Sequence, residues 1–72
     1  MNNSKTIKIQ LNGNPYDIGS GMNLNQFLKT LRISNTKVAI EINGIIAAQN
    51  NYDNIILKKD DKLEIVQFIG GG

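Results

Sequence analysis

Apolar and polar residues alternate strictly through "KTIKIQL", with Ile7, Ile9 and Leu11 on one face and Thr6, Lys8 and Gln10 on the other. A period of two predicts a half-buried strand. Asn12-Gly13-Asn14 follows, a turn with glycine available for positive φ, and then "PYDI", so a first β-hairpin is expected. Pro15 has no N–H to give to a ladder, which puts it at the start or the edge of the second strand. After "GSGM" the period changes. Leu24, Phe27, Leu28 and Leu31 stand at i, i+3, i+4 and i+7, one face of a helix from about Asn23 to Arg32. Asn23 suits the N-cap, and Gln26 three residues on completes a capping box. Lys29 and Arg32 lie in the last turns, where the helix dipole favours cations.

Alternation returns in "KVAIEI", with Val38, Ile40 and Ile42 facing one way and Ala39 and Glu41 the other. Asn43-Gly44 is a strong signal for a two-residue type I′ hairpin, and "IIAA" reads as a short return strand. The segment "QNNYDNIIL" is polar with apolar anchors at Tyr52, Ile55, Ile56 and Leu57, an irregular stretch or a single helical turn. "KKDD" makes one more turn before the last strand, "KLEIVQF". One amphipathic helix covers one face of a sheet, so two layers are expected. If the apolar last strand lies centrally beside the first, that pair is parallel and the arrangement is a β-grasp. The expected class is α+β, a mixed four- to five-stranded sheet packed on one helix. Periodicity leaves the strand order open.

Composition narrows the chemistry. Seventy-two residues make one domain with a thin core, burying about 60–65% of the unfolded chain's surface. With no Cys and no His, disulfides, Cys/His zinc sites, thiol nucleophiles and imidazole bases are all excluded. Six scattered carboxylates specify no metal site. Eight basic and six acidic residues are interspersed for a net charge of +2, without the basic footprint and stacking aromatics that nucleic-acid binding needs. No apolar run approaches the roughly 18–20 residues of a membrane span. The start is unlike a secretory leader, so a soluble protein inside the cell is expected. "KKDD" reads as a solvated turn, Asp53 as part of a local turn and Tyr52 as a core anchor.

The chain ends "VQFIGGG". In the last strand Leu63 and Ile65 share one face, and Glu64, Val66 and Phe68 the other. If the first pair meets the helix, Val66 and Phe68 stand on the open sheet face, extended by Ala39 from the adjoining hairpin, and an exposed apolar set of this kind marks a docking site. Beyond Phe68, the four residues 69–72 form a flexible tail that spans at most about 13–14 Å when extended. Glycine lets a narrow channel close around such a tail, because it has no Cβ and tolerates unusual φ and ψ.

These residues carry a resemblance. Through "IKIQLNG", "NLNQFLKTL", "VAIEINGIIA" and "DDKLEIVQFIGGG" the whole chain resembles the ubiquitin-like sulfur carriers, and among them the thiamine-biosynthesis sulfur carrier family. The resemblance implies a ubiquitin-like β-grasp whose terminal glycine, here Gly72, is adenylated by an E1-like adenylyltransferase using ATP and converted to a thiocarboxylate. Sulfur from a desulfurase then passes to thiazole synthase for the thiazole moiety of thiamine. It further implies that Gly71 is a required neighbour, with Gly70 a third glycine found in some members. Phe68 and Ile69 are implied as the stem entering partner clefts, and Val66 as part of the sheet-face patch. The chain would then be a protein co-substrate and not an enzyme, holding no cofactor of its own. A cytoplasmic location is expected, or a plastid stroma if the gene is organellar.

The early chemistry is shared by two other β-grasp types, the small sulfur-carrying subunit of molybdopterin synthase and ubiquitin-like modifiers. The former is typically longer, with prolines before its tail. Here the only proline is Pro15.

Overall fold

A computed structural model describes residues 5–68 of the chain. Strand β1 (Thr6–Leu11) and strand β2 (Asn14–Gly19) form the expected hairpin. Its turn residues Asn12 and Gly13 have φ of 50° and 85°, the type I′ geometry that suits twisted strands. Helix α1 spans Leu24–Thr30 and strand β3 spans Val38–Ile42. Strand β4 is only Ile45–Ile46, and a 3₁₀ helix covers Gln49–Asn54 before strand β5, Lys62–Gln67. The sheet order is β2-β1-β5-β3-β4, with β1 and β5 parallel and the other neighbours antiparallel. The last strand is therefore central, and the mixed sheet has five strands. Pro15 lies near the start of β2, an edge strand, as its missing donor requires.

The helix starts where its capping chemistry says. Asn23 Oδ1 accepts from the Gln26 backbone N–H at 2.8 Å, and the Gln26 side chain accepts from Asn23 N–H at 2.9 Å. It stops earlier than the apolar spacing predicts. Leu31 is the C-cap, and Arg32 turns left-handed at φ 59°. The N–H of Ile33 bonds to the Leu28 carbonyl and that of Arg32 to the Lys29 carbonyl, a Schellman closure. Of the two cations assigned to the last turns, only Lys29 is helical.

Between the layers lie Ile9, Leu24, Phe27, Leu28, Ile40 and Leu63, all at most 1% exposed. Tyr16 meets Phe27 edge-on, with ring centroids 5.7 Å apart. The irregular segment closes the core through buried Tyr52 and Leu57. Its backbone is tied to the helix start by Leu24 N–H to Ile55 O and Leu57 N–H to Met22 O. Asp61 accepts from Lys58 N–H within its turn, as expected, whereas Asp53 lies in the 3₁₀ helix and accepts from the Asn25 side chain of α1 at 2.7 Å. No described helix is long and apolar enough to cross a membrane.

Candidate functional site

The candidate site is built on β5. Leu63 and Ile65 are buried at 1% and 8% exposure against the helix layer. Alternation then sends Glu64 and Val66 to the open face. Val66 is 60% exposed and Phe68, two residues further on, is 54% exposed. Antiparallel pairing sets Ala39 directly opposite Val66, and the Phe68 N–H continues the ladder to the Lys37 carbonyl at 2.8 Å. The structure thus brings Ala39, Val66 and Phe68 together where the chain leaves the sheet. Ile69, Gly70, Gly71 and Gly72, the rest of the sequence-predicted site, lie outside the described residues.

One member of this face is absent from the sequence-based reading. Ile46 pairs with Glu41, so it too lies on the open side, and it is 73% exposed. The signal was present in the chain. A two-residue turn at Asn43-Gly44 sets Ile42 against Ile45 and Glu41 against Ile46, and Glu41 points outward by alternation. Glu41 also stands opposite Glu64 across the β3–β5 pair. The face therefore carries an apolar end beside the tail and a centre of two like charges. Near its other edge, Lys8 and Asp17 form an exposed salt bridge at 3.2 Å.

Among the described residues no three His, Cys, Asp or Glu side chains gather as a metal site. Burial in the core pushes the Tyr52 phenol above its ordinary pKa. An exposed apolar face of this kind is suited to docking a protein.

Comparison with known proteins places the chain in context. The ThiS family model matches residues 9–72. A crystal structure of a thiamine biosynthesis protein (ThiS) from Geobacter metallireducens superposes with a TM-score of 0.78 at 26% identity, covering 92% of this chain and all of that one. A thiazole synthase of Magnetococcus marinus is 39% identical over 66 residues. That match covers 92% of this chain but only 20% of the relative, so the chain spans about a fifth of that protein. An uncharacterized ycf40 protein of Porphyra purpurea is 32% identical over 69 residues, covering 96% of this chain and 97% of the relative.

Proposed function

This chain belongs to the ThiS family, and from that premise we propose that it carries sulfur as a thiocarboxylate on Gly72 for the thiazole moiety of thiamine. The observation that carries the reading is the position of β5. A central strand, paired with β1 at Lys62 and Leu63 and with β3 from Leu63 to Gln67, ends beside an exposed apolar face of Ala39, Val66 and Phe68, and residues 69–72 follow it in the sequence. The folded body is then a handle and the tail the working end. The family match extends through residue 72, which supports including the glycines in that function.

The chemistry follows from the carboxylate. An α-carboxyl has a pKa of roughly 3.3–3.7, so near neutrality it is an anion and resists nucleophiles. Its oxygen attacks the α-phosphorus of ATP on a partner adenylyltransferase and pyrophosphate leaves. The resulting acyl-adenylate has lost the negative charge and gained a good leaving group. A sulfur nucleophile at the sulfide level, set free when a thiol reduces the desulfurase's persulfide and is itself oxidised to a disulfide, adds to the carbonyl carbon. The C–O bond to AMP then breaks, and loss of a proton yields the thiocarboxylate without further oxidation or reduction. No cysteine or histidine of the chain is needed. Thiazole synthase is the proposed acceptor, a pairing supported by the segment like this chain within a relative of that name.

Incubating the protein with ATP, an adenylyltransferase and a sulfide source should replace one oxygen by sulfur at Gly72, read by intact mass spectrometry. A C-terminally amidated protein should remain unmodified. An unchanged mass for the free acid would overturn the proposal. Stable attachment of Gly72 to lysines of other proteins would favour a modifier instead.

A further inference from the structure

We propose that Asn12, in the first hairpin turn, is a positioning residue that aims the C-terminal tail; this rests on the reading of Gly72 above. Strand β1 ends at Leu11, whose partner on β5 is Leu63. Strand β5 runs on to Gln67 with β3 on its other side, where Gln67 pairs with Val38. Asn12 fills the place that a longer β1 would occupy. Its backbone N–H donates to the Leu63 carbonyl at 2.8 Å. Its side-chain Oδ1 accepts from the Ile65 N–H at 2.8 Å, and its Nδ2 donates to the Ile65 carbonyl at 3.3 Å. A primary amide presents a carbonyl acceptor and N–H donors in the same plane, so it can stand in for the peptide group of a neighbouring strand. The φ of 50° that forms the hairpin also turns this side chain onto β5.

Packing does not replace the clip. A groove of about 350 Å³ lies between the helix end and the stem, lined by Leu31, Arg32, Ile33, Ile65 and Gln67 with Asn12 among them. On this side no side chain fills the space against the stem, whose other edge is held by β3 through Gln67. Each extended residue adds about 3.3 Å, so the three steps from Ile65 to Phe68 reach about 10 Å, and a tilt of about 10° would move the point where the tail begins by about 2 Å. Misplacing a reacting group by even about 1 Å can cost about a hundredfold in rate. One amide bonded to Ile65 is thus placed to set where the tail begins and in which direction the stem points.

Two variants test this. Asn12→Gly keeps the left-handed turn, where glycine is at ease, and removes both side-chain bonds. Asn12→Asp keeps the acceptor for Ile65 N–H and loses the donor. Hydrogen exchange at the Ile65 amide is measured by NMR, and carrier-dependent pyrophosphate release by the adenylyltransferase gives kcat and KM. Asn12→Gly should speed Ile65 exchange and lower kcat about tenfold, with KM within about twofold because the docking face is untouched. Asn12→Asp should fall between it and the parent. Unchanged Ile65 exchange, or faster exchange with the parent's kcat, overturns the aiming role, as does a change confined to KM. If the unaltered protein releases no pyrophosphate, the reading of Gly72 fails and the aiming role with it; turnover of the parent with equal kcat in the variants sinks the Asn12 proposal alone.

Discussion

Arg32 is the odd member of a small set. Four described non-glycine residues have positive φ: Asn12, Arg32, Asn43 and Asp60. Asn and Asp tolerate that region through local hydrogen bonding, whereas a long side chain pays the Cβ clash without such relief. Arg32 holds φ 59° at the position after the helix C-cap, where glycine is usual. Arg32→Gly should therefore raise stability by about 0.5–1 kcal/mol, seen as a higher urea midpoint with unchanged slope. Tyr52 makes a prediction in pH. Burial raises its phenol pKa, so above a pH of about 10 the unfolded chain gives up this proton while the folded chain keeps it. Folding then loses stability as pH climbs through that range. Tyr52→Phe should flatten the loss, measured by denaturation at a pH of about 9 and again at about 11. The Asn-Gly turns were legible in the sequence because their residue types state their geometry. Arg32 was not, since nothing in arginine announces a left-handed backbone.

At the scale of elements, register explains more than propensity. The helix has seven residues, too few to persist alone, and holds through its capping box and its buried face. Strand β4 has two residues and exists because the Asn43-Gly44 turn folds it back on β3. The β3–β5 register puts Glu41 opposite Glu64, a like-charge pair that works against the sheet. Glu64→Gln should raise stability by a few tenths of a kcal/mol at low salt, with the gain fading as salt is added. Titrating denaturation midpoints against ionic strength checks both parts. Alternation within each strand was readable from the chain. The facing of one glutamate by another required knowing which strands are neighbours.

For the whole molecule, the two faces of β5 would separate folding from docking if the open face is the docking surface proposed above. Leu63 is 1% exposed and Val66 is 60% exposed on the same strand. Leu63→Asp buries an unpaired charge and should leave the protein unfolded by circular dichroism. Val66→Asp and Ile46→Asp should leave the melting temperature within a few degrees, since neither is buried. Binding to the adenylyltransferase, followed by titration calorimetry, should weaken about tenfold or more for Val66→Asp, because docking would then desolvate a charge against an apolar partner. If both exposed variants bind normally, the open sheet face is not the docking surface.

The chain's own pattern determined the strands' inward faces, the helix and its start, both tight hairpins and the apolar stem leading to three glycines, because each is a local matter of period, capping and turn chemistry. Tertiary structure alone decided that β5 lies between β1 and β3, that Asn12 reaches a partner 53 positions away, and that Glu41 meets Glu64. Those outcomes depend on which distant segments pair once the two layers close over a shared core, and no window of neighbouring residues contains that choice.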